Sequence, residues 1–411
     1  MGTASNRGNN MRYNAHKLFH RPGEQSCLRH ALVITDDQRT KLLEVRRKVR
    51  AALRSGMARA GKFLNHAEYG LVRNAAANVP LDPRSLSFSP KFRTQGSWAY
   101  DTLNRPAKRC QQLDLDDGMY IPMSIVGLNP AIASGALFLI TERIIEELCR
   151  AEGWTLDTSK SICIRIEVDD ECHLDVNIYA IPDQKMVLLE KAMHTASARA
   201  MDSDTLLAGP ADLRLDPAEI YVAHRKKGWE QSDPLELEEW FLNAAARHAS
   251  WTNLKRITRY LKAWRDQRWD ACTLSSIALM VCAVEALDAA NTPPVPGRDD
   301  DGLLVVVRAL ADKFGGDIEN PVVDGRLLND HWTPTDRNHF QLSARAFREE
   351  LDTALNNEAS SLGVVGRIIK LFGPRVPNDA SLVIPLAAIE TVRSTPSEPA
   401  PSPKVGSQTS G

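Results

Sequence analysis

The stretch from 94 to 123 reads TQGSWAYDTLNRPAKRCQQLDLDDGMYIPM and crowds three carboxylates, Asp114, Asp116 and Asp117, behind a Gly-Ser pair. Asp114 and Asp116 are two apart, so on a strand they point to the same face. Two like charges held that close repel strongly unless a cation sits between them. A third carboxylate, Asp175, falls in the run HLDVNI, where His173, Asp175 and Asn177 alternate with Leu174, Val176 and Ile178. If the two strands are neighbours, three hard oxygen ligands converge. Such a set suits Mg2+, which keeps several waters and takes substrate phosphates as further ligands. Two such ions about 4 Å apart stabilise the attacking and leaving oxygens of an in-line phosphoryl transfer. On its own, an acidic pair before a glycine also reads as a solvated turn. Asp117 lies on the opposite strand face, opens the DDG turn and is not expected to be a ligand. Gly96 lets the backbone approach a ligand, Ser97 adds a hydroxyl, and the N–H groups of such a turn make an anion nest.

These residues need elements to hold them. The run LDLDDGMYIPMSIV starts with strand-like alternation, and SICIRIEVDDECHLDVNIYAIP reads as two β-runs around Asp169-Asp170-Glu171, a hairpin. A helix is predicted before them: Thr35 caps it, Gln38 stands at the capping-box position, and Asp36 and Asp37 suit the dipole. Leu42, Val45, Val49 and Leu53 form its apolar face, with Arg46, Arg50 and Arg54 as a cationic stripe beside it. A second helix covers 135–152. After about residue 232 five or six helical patterns follow, enough for a bundle. The last segment, RSTPSEPAPSPKVGSQTSG, is Pro/Ser-rich without an apolar face and reads as a disordered tail. The expected organisation is an irregular N-terminal segment 1–30, a catalytic domain 31–215 with its long helix, a helical domain 216–390 and a tail 391–411.

Composition sets the outer bounds. The 411 residues are 43% hydrophobic and 25% charged, with a formal net charge of −1. That argues against a generally basic surface for duplex nucleic acid. A membrane span needs about 20 apolar residues in a row, and none is present. The polar N-terminus has no apolar signal core. The seven cysteines include no CxxC pair and read as reduced thiols of a cytoplasmic protein. The ten histidines form no HExxH pattern.

Taken in order, TQGSWAYDTLNRP, DLDDGMYIPM and HLDVNIYAIP resemble the nucleotidyltransferase superfamily that includes DNA polymerase β. More closely, they resemble the bacterial cGAS/DncV-like nucleotidyltransferases (CD-NTases), in their DncV-like branch. WEQSDPLELEEWF and LKAWRDQRWD…SSIALM continue the likeness, which runs from about Thr35 to about residue 283, fades over 290–360 and returns at FGPRVPND. The resemblance implies an α+β fold, a polymerase-β-like mixed sheet with a packed helical domain and the active site in the cleft between. It implies a Mg2+-dependent enzyme, with Mn2+ as the alternative ion, that joins ATP and GTP without a nucleic-acid template. The expected product is 3′,3′-cyclic GMP-AMP, a second messenger that activates a downstream effector in antiphage defence.

By the same resemblance Asp114, Asp116 and Asp175 are the catalytic and metal-binding carboxylates, Asp175 steering the proton of the attacking 3′-hydroxyl. Gln95, Gly96 and Ser97 belong to the nucleotide-contacting turn. Lys262 and Ser276 match triphosphate-binding positions, Arg165 a base-contacting arginine, and Tyr100 is placed to stack a base. Lys262 reads otherwise as a solvated helix lysine and Tyr100 as a core aromatic. The branch also has a pocket for an inhibitory folate-type ligand, to which Arg46, Arg50, Arg54, Lys91 and Tyr120 correspond. There Arg93 replaces the aromatic that would stack the pterin. Gly411 stands where related tails are joined to targets by a ubiquitin-activating-like conjugating enzyme. Two other readings stay open: a relative making another cyclic or linear oligonucleotide, and an inactive nucleotide- or folate-binding scaffold.

Overall fold

The structure, a computed structural model, describes residues 12–63, 88–125, 130–186, 219–232 and 234–386. The expected disordered tail and Gly411 lie outside the described residues.

The sheet that carries the carboxylates runs in the order β2 (Lys91–Thr94), β3 (Leu113–Pro122), β6 (Cys172–Ile181), β5 (Cys163–Glu167), β4 (Thr155–Asp157). β3 and β6 are parallel and the other pairs in that order antiparallel, so the sheet is mixed. β7 (Tyr221–His224) pairs with the far end of β6, and β8 (Gly228–Gln231) pairs with β7. Odd residues of β3 (Leu113, Leu115, Met119, Ile121) and even residues of β6 (Leu174, Val176, Ile178) bury into one apolar core. That core is closed by α3 (Asp36–Met57) and α5 (Pro130–Glu152). The opposite face of both strands is left for Asp114, Asp116, His173 and Asp175.

α3 starts where the sequence says. Thr35 Oγ1 accepts from the Gln38 N–H and the Gln38 side chain accepts from the Thr35 N–H, closing a capping box. Leu42, Val45, Val49, Leu53 and Met57 form its buried stripe. Gly56 allows α5 to pack closely, since a Cβ there would lie 2.5 Å from Ile144.

The helical half comprises α6 (Pro234–His248), α7 (Leu254–Arg268), α8 (Ser276–Asp288), α9 (Asp299–Gly315), α10 (Pro334–Asn356) and α11 (Ser361–Phe372). Its apolar core includes Tyr260, Leu261, Val281, Val307, Phe314, Phe347 and Phe372.

Three expectations change. The DDG triplet is not a turn: β3 runs through it, because Thr94 of β2 and Val176 of β6 flank Asp117 from both sides. Asp117 is buried and receives a bidentate pair from Arg50 of α3, its Nε donating at 2.7 Å to Oδ2. Gly118 is required by packing, as a Cβ there would lie 2.5 Å from Gln95 Nε2. Secondly, the N-terminal segment is not irregular throughout. β1 (Tyr13–Asn14) pairs with β9 (Ile384–Pro385), and α1 (His16–Phe19) and α2 (Leu28–Leu32) bury Leu18, Phe19, Leu28 and Leu32 in the helical core. Thirdly, β7 and β8 lie beyond residue 215 yet extend the sheet, so the helices begin at Pro234 rather than at 216.

Candidate active site

Register brings the sequence-read carboxylates together. Asp116 of β3 is directly opposite Asp175 of β6, and Asp114 is opposite His173. Asp114 has 46% of its side chain exposed, against 9% for Asp175. Its Oδ1 is nevertheless buried and lacks a hydrogen-bond partner, although His173 Nε2 lies 3.0 Å away. Ligand atoms of Asp114, His173 and Asp175 lie within 4.8 Å of one another. Asp116 is not part of that tightest set: its carboxylate lies under Gly96. Burial raises the Asp116 carboxyl well above the usual range, and the Asp114 and Asp175 charges add to the shift. Burial acts to raise Asp114 as well, but the close His173 ring, Arg165 and Lys262 outweigh it and hold that carboxyl low. An orphaned carboxylate oxygen beside crowded acidic groups is the donor set of a divalent cation site, and the residues fit one.

The turn is α4 (Gly96–Ala99), a single helical turn that leaves β2 at Gln95. The Gln95 N–H donates to the Asp116 carbonyl at 2.9 Å and ties the turn to the carboxylate strand. Gly96 has φ +61°, and a Cβ there would overlap Asp116 Oδ2. Only glycine satisfies both conditions. Ser97 is half-buried beside it. Asp101, at the end of the turn, is the one described non-glycine residue with positive φ, 54°.

Other sequence-read residues are engaged in ways that spacing did not reveal. Gln95 is buried, its Nε2 donating to the Tyr120 hydroxyl (2.6 Å) and its Oε1 accepting from the Tyr179 hydroxyl (3.2 Å). These two bonds hold its side chain beneath the turn. Arg165 is the cross-strand neighbour of Asp175 and grips both its oxygens at 2.8 Å. The fork that was assigned to a base therefore orients the third carboxylate. Tyr100 is a core residue, its ring 5.8 Å from Phe241. The Ser276 hydroxyl, in the first turn of α8, accepts from Arg265 at 3.0 Å. Lys262 is not solvated: it is 6% exposed, and its Nζ donates to the Thr102 carbonyl at 2.8 Å. Burial, with Arg265 nearby, pulls its ammonium down to about 7.

The residues of the folate-type pocket are not gathered on one face. Arg46 and Arg50 donate to Thr94 Oγ1, Arg50 also holds Asp117, and Arg54 lies 5.0 Å from the Phe92 ring centre. Those partners are on the α3 side of the sheet. Lys91, Arg93 and Tyr120 alternate with them and belong to the other side, where Tyr120 is fully buried and stacked on Tyr179 at 5.1 Å. Arg93 pairs with Glu238 of α6 at 3.1 Å.

Sequence reasoning missed the clamp that docks the loop after α4 onto α7. Buried Arg259 donates to the carbonyls of Asp101 and Leu103 and pairs with Asp101 at 2.7 Å, and Asn104 donates back to the Arg259 carbonyl at 2.8 Å. Gln111 donates to the Asp266 and Trp269 carbonyls, both at 2.9 Å. α7 carries six cations, Lys255, Arg256, Arg259, Lys262, Arg265 and Arg268, so nothing in the sequence singled out the buried Arg259 and Lys262.

A family model for the nucleotidyltransferase domain of DncV-like cyclic GMP-AMP synthase matches residues 90–179, and one for the cyclic GMP-AMP synthase C-terminal domain matches 252–385. A cyclic GMP-AMP synthase of Escherichia coli is 31% identical over 77% of this chain and 75% of its own length. One from Vibrio cholerae is 27% identical over 97% and 98%. The structure of Vibrio cholerae DncV in complex with GTP and 5MTHFGLU2, a folate ligand, superposes with a TM-score of 0.75 at 26% identity, over 92% of this chain and 100% of that one. The complex of DncV with the linear intermediate pppA(3′,5′)pG superposes with a TM-score of 0.74 at 25% identity, over 92% and 99%.

Proposed function

Because the chain belongs to the DncV-like family of cyclic GMP-AMP synthases, we propose that it joins ATP to GTP and closes the linear product into 3′,3′-cyclic GMP-AMP. That it is a nucleotidyltransferase follows from the family and the mixed sheet packed on helices. The observation that carries the finer reading is the parallel β3–β6 register, which sets Asp114, Asp116 and Asp175 on one face beside the Gly96 turn.

Asp114 and Asp116, with Asp175 across the register, would hold the divalent ion, here taken as Mg2+ or Mn2+. Bound with a triphosphate, the ion neutralises charge at the α-phosphate and on the leaving pyrophosphate. The remaining work falls to the chain. The backbone of α4, kept open by Gly96, seats the triphosphate. Lys262 adds positive charge behind the turn, and a polyphosphate held nearby favours its protonated form. Asp175 is fixed in orientation by the Arg165 fork and accepts a hydrogen bond from the attacking 3′-hydroxyl, aiming its oxygen at the α-phosphorus. The new O–P bond forms as the bridging α–β P–O bond breaks. A second transfer at the same site, on the repositioned linear dinucleotide, closes the ring.

The test is incubation with each labelled nucleoside triphosphate and Mg2+, then phosphatase and nuclease digestion. A resistant product drawing label from both ATP and GTP is expected. A linear or single-base product would assign a relative's reaction, and no product with Mg2+ or Mn2+ would leave a binding scaffold.

No described helix is long and apolar enough to cross a membrane, and action in the cytoplasm is part of this reading. Cell fractionation that places the protein in membranes would contradict it. A folate-type regulator is also part of it, with the helix face of Arg46, Arg50 and exposed Arg54 as the seat of an acidic tail and no part for Tyr120. Calorimetry with a diglutamylated folate should show binding that Arg54→Ala weakens and Tyr120→Phe leaves unchanged. The opposite pattern would refute this placement.

A further inference from the structure

The ring of His173 is pinned from one side and bare on the other. Its Nδ1 lies 2.9 Å from Gln112 Oε1. The orientation of Gln112 is fixed independently, because its Nε2 donates to Glu167 Oε2 and to the Asp169 carbonyl, both at 2.9 Å. The amide oxygen therefore faces His173, and Nδ1 must carry the hydrogen. In a neutral imidazole this leaves a lone pair on Nε2. That atom is buried, has no hydrogen-bond partner and lies 3.0 Å from the equally orphaned Oδ1 of Asp114. His173 as a whole is 6% exposed. Two acceptors at this distance need a cation between them: a proton on Nε2, the form in which the ring lowers the Asp114 carboxyl, or a metal ion that replaces that proton. Two ligands at right angles on an ion with bonds of about 2.1 Å stand about 3.0 Å apart. Asp175, two residues along the same strand face, brings a third ligand atom within 4.8 Å.

We propose that His173 Nε2 is a metal ligand of this site, alongside Asp114 and Asp175, and that Gln112 sets its tautomer. The donation of the second ring nitrogen to a fixed acceptor is the usual support of a ligating histidine. The inference rests on reading this strand face as the metal site and adds selectivity to it. An all-oxygen set suits Mg2+, whereas an imidazole nitrogen shifts preference towards Mn2+ and later transition ions.

Pulsed EPR on the full chain with stoichiometric Mn2+ and a non-hydrolysable GTP analogue tests this. The wild type should show nitrogen coupling to Mn2+, and labelling histidines with 15N should change its frequency, which separates imidazole from guanine. His173→Gln should abolish the coupling and lower the Mn2+-to-Mg2+ affinity ratio about tenfold. The wild-type spectrum decides even if that variant folds poorly. Tight Mn2+ binding lost in Asp114→Asn but without histidine coupling would overturn the inference and leave the metal site standing. No Mn2+ binding at all would overturn both.

Discussion

Asp116 carries the least comfortable charge in the site. Burial, and then Asp114 and Asp175, raise its carboxyl well above the usual range. A raised folded-state value means the ionised form costs stability above that value, and the cost disappears well below the ordinary 3.8. Asp116→Asn should therefore stabilise the metal-free protein at pH 7.5 by at least ~1 kcal/mol while abolishing turnover. Urea titrations should show the gap closing towards pH 4, and a variant less stable at pH 7.5 would contradict this. Lys262 works in the opposite sense along the pH axis. Its ammonium is pulled down to about 7 from 10.5, so its burial cost is complete below about 7 and fades as pH rises towards 10.5. Lys262→Met should gain more stability at pH 6 than at pH 9, by a difference on the order of a few kcal/mol. A pH-independent difference would contradict it. That Asp114 and Asp116 share one strand face was legible because strand side chains repeat every two residues, whereas Asp175 comes opposite Asp116 only through the β3–β6 pairing. The same alternation put His173 on the Asp175 face, but a lone histidine carries no signal of a ligand role. The protein contacts of Gln95, Arg165 and Tyr100 were not legible, because contacting a ligand and supporting the residue that contacts it look identical until register is known.

The decisive element is the turn at 96–99 with the loop behind it. Gly96→Ala would place a methyl group on Asp116 Oδ2 at a backbone φ of +61°. It should cost at least ~1 kcal/mol and most of the activity, measured by thermal melts and initial rates, whereas the open Gly153 tolerates alanine with only its own φ penalty. Arg259 holds the loop to α7 through the Asp101 and Leu103 carbonyls. Arg259→Ala should raise KM for the donor triphosphate more than it lowers kcat, since it loosens the seat without touching the carboxylates. A pure kcat effect would argue against a positioning role. Local turn chemistry misled at Asp117-Gly118. Strand pairing on both flanks and the buried Arg50 partner overrode it, and both are long-range contacts.

At the scale of the molecule, the described residues start in the helical half, cross to the sheet and return. Buried Asp299 at the start of α9 receives Arg256 at 2.6 and 2.7 Å and the Tyr260 hydroxyl at 2.7 Å, while Asp300 accepts from the Ala15 N–H at 2.7 Å. The Asp299 contacts fasten α9 to α7, and the Asp300 contact fastens the N-terminal segment to the bundle. Asp299→Ala leaves Arg256 without its carboxylate and Tyr260 with only the Phe19 carbonyl at 3.2 Å, and should lower stability by roughly 3–5 kcal/mol in a denaturant melt. A loss under 1 kcal/mol would refute the fastening. The bundle helices were legible from apolar periodicity and caps, but the N-terminal docking was not, because short helices joined by polar turns show no period. The account stands or falls on the carboxylate face. Mass spectrometry of products from ATP, GTP and Mg2+ should give a cyclic dinucleotide with one adenine and one guanine for the wild type. Asp114→Ala combined with Asp116→Ala should give none at unchanged circular dichroism. Undiminished product from that folded double variant would contradict the assignment of the site.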